Sequence, residues 1–116
     1  MAETQKTIFK RIIDREIPAD VVHEDDHCLA FRDVNPQAPT HVLIVPKREI
    51  ASLDEVSEVD EILIGHLFAV AAKLARQLGL QNGYRAVVNC GKEGGQTVDH
   101  LHVHLLGGRA MNWPPG

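Results

Sequence analysis

The stretch that decides the fold is His100-Leu101-His102-Val103-His104-Leu105-Leu106, in which histidines and aliphatic residues alternate. Successive side chains of an extended strand point to opposite faces of a sheet, so the three histidines are expected to share one face. A helix would spread the same histidines around its axis. The pattern therefore predicts a strand over residues 100–105, with aliphatic side chains on one face and three imidazoles on the other.

Length and composition favour one soluble domain spanning residues 1–116, with its core beginning at about residue 6. The chain has 116 residues, of which 44% are hydrophobic and 24% charged, and this leaves no room for a second domain. The formal net charge is −4 and no basic run is present, which disfavours a nucleic-acid partner. The longest apolar run, residues 67–72, is too short to cross a membrane, and residues 1–10 do not resemble a signal peptide. We therefore expect a cytoplasmic protein in which Cys28 and Cys90 are reduced thiols.

The remaining patterns predict two helices and four more strands. A short helix is expected over residues 7–15, with Thr7 as a possible N-cap, and a long one over about residues 53–78. The apolar positions that predict the long helix are Val56, Val59, Ile62, Leu63, Leu67, Val70, Leu74 and Leu78. Strands are expected over residues 21–23 and 28–31, joined as a hairpin by an acidic turn, and over 41–45 and 84–89. The fold class is therefore α+β, a mainly antiparallel five-stranded sheet with the helices over one face and the histidines on the other.

A zinc site is one possible use of the histidines, since three histidines and a water form a known catalytic arrangement. In an extended strand, however, the backbones of His100 and His104 lie about 13 Å apart, too far for both rings to bind one ion. Adjacent pairs, about 6.6 Å apart, could share an ion with help from elsewhere. Adventitious zinc thus stays possible, as does a bland solvated sheet face, but no metal is required.

Nucleophilic catalysis on phosphorus fits the spacing better. His102, in the centre, can attack while its neighbours hold oxygens and move protons. Protonated imidazoles and backbone N–H groups can stabilise a transferred phosphoryl group without magnesium. Gly94 and Gly95, which can adopt positive φ, are expected to let N–H donors converge on an anion, and Thr97 adds a hydroxyl.

The chain also resembles the histidine triad family over nearly its whole length. The motif His100-x-His102-x-His104-Leu105-Leu106 matches at every position, and further matches include 30–33, 36–41, 94–96, 107–109 and the final Trp113-Pro114-Pro115-Gly116. The match is closer to the Hint branch, the purine nucleoside phosphoramidases, than to the dinucleoside polyphosphate hydrolases or nucleotidyltransferases.

The resemblance implies hydrolysis of purine nucleoside 5'-phosphoramidates, conjugates of AMP or GMP, through a nucleotidyl-histidine intermediate. It makes His102 the nucleophile, and it gives His100 and His41 the task of orienting it. It places His104 and Asn89 at the phosphate. Alternatives are a dinucleoside polyphosphate hydrolase, or a non-catalytic nucleotide- or zinc-binding interaction protein.

The resemblance also implies the nucleotide-binding residues and a homodimer. Asp33 would hold the ribose hydroxyls, and Thr97 would assist the leaving group. The apolar purine slot would consist of Ile8, Phe9, Ile12, Phe31 and Val34. The remaining nucleotide contacts would come from Gly95 and Gln96 of the glycine-rich turn and from Trp113 of the tail. In the family the tail reaches the neighbouring subunit's site.

Two residues depart from the Hint pattern. Thr97 stands where that branch usually has serine, and its extra methyl group restricts the hydroxyl. Asp99 stands where tyrosine is frequent, and its charge is expected to raise the pKa of a neighbouring imidazole.

Overall fold

The fold is a five-stranded antiparallel sheet with one long and one short helix, as the sequence predicts. The computed structural model describes residues 5–116, so the first four residues of the predicted domain lie outside the described part. The strands are β1 Val21–Glu24, β2 Cys28–Arg32, β3 Thr40–Pro46, β4 Tyr84–Val87 and β5 Val103–Gly107. They lie in the order β1-β2-β3-β5-β4, with every pair antiparallel. The helices are α1 Ile8–Ile13 and α2 Glu61–Gln77.

The two faces of the sheet carry separate apolar clusters. On one face, α2 packs against strand residues that include Val42, Ile44, Val103 and Leu105. On the other face, Phe9 of α1 packs with Phe31, Leu29, Leu43 and Val45. The expectation that both helices cover one face is therefore wrong: α1 lies on the histidine face, because its phenyl ring fills the space beside the histidines. No helix within residues 5–116 has the length and apolarity needed to cross a membrane.

The long helix is shorter than predicted, because residues 53–60 form two 3₁₀ turns, Leu53–Glu55 and Glu58–Asp60, before it begins. Ser57 between them is extended, and its backbone N–H donates to the Asp60 carboxylate at 3.0 Å. Such local hydrogen bonds favour turns and caps over helix interiors. Val59 and Ile62, expected on the buried stripe, are exposed. The apolar spacing therefore placed the start of the helix about two turns too early.

The histidine strand begins three residues later than predicted, at Val103. The Leu101 N–H donates to the Ile50 carbonyl at 2.7 Å and not to a neighbouring strand. The alternation nevertheless holds, because Leu101, Val103 and Leu105 all join the cluster on the α2 face. The side chains on the α2 face thus keep their spacing of two residues although strand pairing begins only at Val103.

The short helix also ends early, at Ile13. Thr7 caps it as predicted, its hydroxyl accepting the Lys10 N–H at 3.1 Å. Arg15 adopts a left-handed conformation with φ 60°, which ends the helix and redirects the chain towards β1.

Candidate active site

A cavity of about 450 Å³ opens on the histidine face of the sheet, between α1, the ends of β2 and β3, and β5. One part of its wall is apolar and contains five predicted purine contacts, namely Ile8, Phe9, Ile12, Phe31 and Val34. The other part is polar and contains Asp33, His41, Thr97, His102 and His104. A cavity of this size, apolar with a few convergent polar groups, is typical of small-molecule sites.

His102 is held with one ring nitrogen free. Its Nδ1–H donates to the backbone carbonyl of His100 at 2.7 Å, and a carbonyl can only accept, so the proton of the neutral ring is on Nδ1. Phe9 packs edge-on against the ring, with centroids 4.9 Å apart. The lone pair of Nε2 is therefore unprotonated, on a ring that lines the cavity.

A chain of hydrogen bonds fixes the adjacent rings of His41 and His104. The Gln37 backbone N–H donates to His41 Nδ1 at 3.0 Å, so neutral His41 carries its proton on Nε2. That N–H lies 2.9 Å from His104 Nδ1 and donates to it. His104 must then carry its own proton on Nε2, and this buried nitrogen has no hydrogen-bond partner within residues 5–116. An unsatisfied buried donor is costly, and a ligand oxygen that reaches it would satisfy it.

Asp33 places a carboxylate at the edge of the polar wall. One oxygen lies 3.4 Å from His41 Nε2, and the other accepts the backbone N–H of Asn35 at 2.9 Å. This second bond fixes the side chain, which lines the cavity. The carboxylate is thus positioned to accept hydrogen bonds from a ligand.

Burial keeps the site histidines neutral. It lowers the pKa of His41, His100 and His102 below the ordinary value of 6.5. For His104, burial and the neighbouring rings of His102 and His41 lower the pKa to about 4. The expectation of protonated imidazoles is therefore wrong, because the cost of burying charge outweighs the opposing attraction of Asp33. Asp99, whose charge was expected to raise the pKa of a neighbouring imidazole, is exposed to solvent, and the net shift in the pKa of His100 and of His102 is downward.

His100 lies behind the cavity wall and not in it. The residue is buried, and its Nε2–H donates to the Pro46 carbonyl at 2.8 Å. Its own carbonyl accepts from His102. The contact of His100 with His102 is therefore made by its backbone carbonyl, and its ring is held by Pro46.

The glycine-rich turn does not form the expected set of anion donors. The N–H groups of Gly95 and Gln96 donate within the turn, to Lys92 and Gly91, and the Gln96 amide donates to Ala51 and Val98 carbonyls at 2.8 and 2.9 Å. Gly95 has positive φ as predicted, but Gly94 does not. Gly94 is required for another reason: a Cβ there would lie 2.2 Å from the Cys90 carbonyl oxygen.

Two further predicted contacts lie outside the main cavity. Asn89 lines an adjoining cavity that shares His41 and His104 with the first. Trp113 is 82% exposed and lines neither. Pro115 and Gly116 do reach the adjoining cavity, so the end of the tail approaches the site while its tryptophan does not.

The predicted site has a possible metal-donor group, but not the one expected. Donor atoms of Asp33, His41 and His104 lie within 4.8 Å of one another. Only one of the three aligned histidines is included. The prediction that His100 and His104 do not share an ion is consistent with this geometry.

Sequence reasoning missed the groups that fix the ring protons. They are the backbone N–H of Gln37 and the carbonyls of Pro46 and His100, and backbone groups carry no signal in residue type. It also missed Val98, which lines the cavity. Its signal was available, because Val98 continues the two-residue spacing of His100, His102 and His104.

Comparison with known proteins identifies the family. The family model of the HIT domain matches residues 14–111. An uncharacterized HIT-like protein of Synechococcus elongatus is 58% identical over 113 residues, which cover 97% of this chain and 99% of that protein. The crystal structure of a HIT family hydrolase from Legionella pneumophila superposes with a TM-score of 0.94 at 52% identity, covering 96% of this chain and 100% of that one.

A more distant structure has the same fold. The crystal structure of a histidine triad nucleotide-binding protein from Candida albicans gives a TM-score of 0.81 at 32% identity, covering 94% of this chain and 83% of that one. The family model matches most of the sequence, and the relatives match nearly all of it, in accord with the row of three histidines. The chain belongs to the histidine triad, or HIT, family.

Proposed function

We propose that the protein is a hydrolase that cleaves the P–N bond of purine nucleoside 5'-phosphoramidates through a nucleotidyl-histidine intermediate. The observation that carries the proposal is the arrangement of protons on two neighbouring rings. His102 has an unprotonated Nε2, and His104 has an unsatisfied Nε2–H, on rings whose centroids are 4.8 Å apart. A nucleophile and a donor for the phosphoryl oxygens are thus supplied side by side.

The shape of the cavity supports a nucleoside monophosphate unit as the bound group. Its apolar part has the flat phenyl faces and aliphatic side chains suited to a purine, with Phe9 and Phe31 at 5.6 Å between ring centroids. Asp33, at the boundary between the apolar and polar parts, is suited to accept from both ribose hydroxyls. This placement directs the 5'-phosphoryl group towards His102 and His104.

The first half of the proposed reaction forms the intermediate. His102 Nε2 bonds to the α-phosphorus while the P–N bond breaks, and the amine leaves with a proton that the solvent supplies through the exposed Thr97 hydroxyl. Negative charge on the non-bridging oxygens is stabilised by the His104 N–H and by Asn89, both as neutral donors. Preorganised neutral donors in a water-poor site are effective because they need no reorganisation as charge develops.

The second half returns the enzyme to its starting state. Water bonds to phosphorus as the P–Nε2 bond breaks, its proton is taken up by the released ring or the solvent, and the nucleoside monophosphate leaves. His102 is neutral at the start because burial lowers its pKa, so no base is needed to activate it. No metal enters either half of the proposed reaction.

The assay that tests the proposal compares two substrates in the presence of a chelator. Purified protein is incubated with an adenosine phosphoramidate or with a dinucleoside triphosphate, each with excess EDTA, and nucleotide release is followed by chromatography. We expect release of AMP from the phosphoramidate at a much higher kcat/KM. Preference for the dinucleotide would favour a dinucleoside polyphosphate hydrolase, and binding of AMP without turnover of either would favour an interaction protein.

We further propose that the chain forms the homodimer that the family resemblance implies. An apolar depression between α2 and β4 is lined by residues that include Leu53, Phe68, Ala86 and Val88, and β4 is an edge strand. Exposed apolar side chains beside an unpaired strand edge are suited to pairing with a second copy. We expect Phe68→Glu to convert a dimer to a monomer in sedimentation experiments, and Lys73→Glu on the same helix not to. A monomeric wild type would contradict this.

A further inference from the structure

A second group of histidines surrounds Asp25, in the turn between β1 and β2. Its Oδ2 accepts from His23 Nε2 at 2.8 Å and from His66 Nε2 at 2.7 Å, and the Cys28 Sγ lies 3.5 Å away. Its Oδ1 accepts the backbone N–H groups of His27 and Cys28 at 2.8 and 2.9 Å. Two imidazoles, a thiol and a carboxylate thus converge on one point.

This group is separate from the candidate active site. None of its four side chains lines the catalytic cavity, and Cys28 belongs to the apolar cluster on the α2 face of the sheet. His66 comes from α2, whereas the other three come from the hairpin of β1 and β2. Whatever the group binds therefore connects the helix to the edge of the sheet, independently of the proposed hydrolysis.

We propose that His23, Asp25, Cys28 and His66 form a zinc site. Imidazole nitrogen, thiolate sulfur and carboxylate oxygen are the ligands that zinc takes in proteins, and four of them complete a tetrahedron. Softer and harder metals fit less well: the single thiolate among nitrogen and oxygen donors is typical of a borderline ion. Bound there, zinc cross-links α2 to the β1–β2 hairpin.

A tetrahedral zinc site defines the spacing that the four donor atoms must reach. Bond lengths of about 2.1 Å to nitrogen or oxygen and about 2.3 Å to sulfur place neighbouring donors about 3.4 to 3.6 Å apart. One donor atom each from His23, Asp25 and Cys28 lie within 4.8 Å of one another. His66 Nε2 is not within that distance of all three, but it lies 2.7 Å from the same carboxylate oxygen. Binding of an ion therefore requires the Asp25 oxygen to withdraw and the His66 ring to turn towards the other donors.

The surroundings provide both access and support. The side chains of His23, Asp25 and His66 are 14, 28 and 35% exposed, so an ion can enter from solvent, while Cys28 is fully buried at the inner end. The two backbone N–H groups on Asp25 Oδ1 hold the carboxylate in place. Groups in the outer shell that orient a ligand in this way are a regular feature of metal sites.

Binding has a defined proton balance. Zinc takes thiolate, neutral imidazole and carboxylate, so Cys28 loses its thiol proton to the solvent, and each imidazole moves its proton from Nε2 to Nδ1. One proton is therefore released per zinc bound. No oxidation or reduction takes place.

The test uses the full chain after removal of metals with a chelator. Zinc is titrated by calorimetry in two buffers of different ionisation enthalpy, and bound metal is counted after dialysis. Cobalt(II) serves as the spectroscopic probe, because a thiolate ligand gives a charge-transfer band. We expect one zinc per chain, release of about one proton, a cobalt band, and a rise in the melting temperature with zinc concentration.

Matched variants separate this site from the donors in the active site. Loss of an outer-shell partner costs about 10–100-fold in affinity, so loss of a ligand in His23→Ala or His66→Ala is expected to weaken zinc binding by at least about 100-fold. Cys28→Ser removes the cobalt band, and Cys90→Ser retains it. His27→Ala, which removes an exposed ring 5.7 Å from His66, retains zinc. Circular dichroism checks that each variant is folded.

The result that overturns the proposal is equally definite. A metal-depleted wild type that binds no zinc at micromolar concentration contradicts it. So does zinc that is retained by a folded His23→Ala, His66→Ala double variant and lost by His104→Ala, since the ion would then lie in the active site. Neither result bears on the proposed hydrolysis, which is assayed in the presence of chelator.

Discussion

The molecule contains two histidine clusters, and they differ in where the carboxylate lies. In the active site, four imidazoles bind one another or the backbone, and Asp33 stands 3.4 Å from the nearest ring nitrogen. In the cluster at the β1–β2 turn, the carboxylate of Asp25 is the centre, with two ring nitrogens at 2.7 and 2.8 Å. Burial raises the pKa of Asp25, but the hydrogen bonds that the carboxylate accepts lower the pKa by more than burial raises it. The pKa is therefore well below its ordinary value and the carboxylate stays charged.

The difference shows how one residue type is directed to two kinds of chemistry. Backbone groups assign the protons of His41, His100 and His102, and the His41 ring assigns that of His104. Burial removes the charge of these rings, which leaves His102 with an available lone pair. At Asp25, a charged acceptor gathers side chains that an ion can bind. The same residue type thus occupies two settings, one in which hydrogen bonds fix the position of each ring proton and one in which a shared carboxylate gathers the ring nitrogens.

The largest effect is expected from His102→Ala. The variant lacks the atom that bonds to phosphorus, and removal of a catalytic nucleophile costs about 10,000-fold or more in kcat. Binding of AMP, measured by calorimetry, should persist because Asp33 and the apolar wall are intact, and zinc binding at Asp25 should not change. Turnover at an undiminished rate would eliminate His102 as the nucleophile.

His104→Leu should have the next largest effect. It removes the N–H proposed to bind a phosphoryl oxygen, and loss of one such donor costs about 100- to 1,000-fold in kcat. His104→Gln, whose amide can donate, should recover part of the loss. Steady-state kinetics of the three proteins distinguish this role from simple packing, which would affect both variants alike.

Asp33→Asn should weaken nucleotide binding with less effect on the chemical step. An amide oxygen accepts more weakly than a carboxylate, and hydrogen bonds to charged groups contribute about 1.5–3 kcal/mol, which corresponds to about a 10- to 100-fold rise in the AMP dissociation constant. For a 2'-deoxynucleotide, the dissociation constants of wild type and variant should differ much less than they do for AMP. Equal effects on ribose and deoxyribose ligands would place Asp33 elsewhere.

The smallest effect concerns the dependence of the free energy of unfolding on pH. The pKa of His104 is about 4 in the folded protein and about 6.5 when unfolded, so the unfolded chain binds more protons between these values. The free energy of unfolding is therefore expected to be fully retained above about pH 6.5 and to fall towards pH 4, by at most about 1.4 kcal/mol per pH unit for this group. The free energy of unfolding, measured with urea at a series of pH values, should depend less steeply on pH for His104→Gln than for the wild type. An equally steep dependence on pH would contradict a neutral, buried His104 ring.

The fold was predictable where one residue pattern determined one structure. Alternation at residues 100–105 placed Leu101, Val103 and Leu105 on the α2 face even though pairing starts only at Val103. The start of α2 was not predictable from periodicity, because Val56 and Val59 continue the apolar spacing through residues that form 3₁₀ turns. There, the local hydrogen bond of Ser57 to Asp60 determines the backbone.

The candidate site was predictable in its side chains and not in its protonation. The residue pattern indicated His102, His104 and Thr97, and the family resemblance added His41 and Asp33; all five line one cavity. The charge on the rings depends on burial, and the position of each proton depends on backbone partners such as Gln37. The cluster at Asp25 was missed for a related reason, because His66 comes from a helix 41 residues away in sequence.

The most direct test of the account is to trap the covalent intermediate. Wild-type protein turning over an adenosine phosphoramidate is quenched in base, where a phosphorus–nitrogen bond to histidine survives, and its peptides are analysed by mass spectrometry. The account predicts an adenylyl group on His102 during turnover, which is absent before substrate is added and absent in His102→Ala. An adenylyl group on any other residue would contradict it.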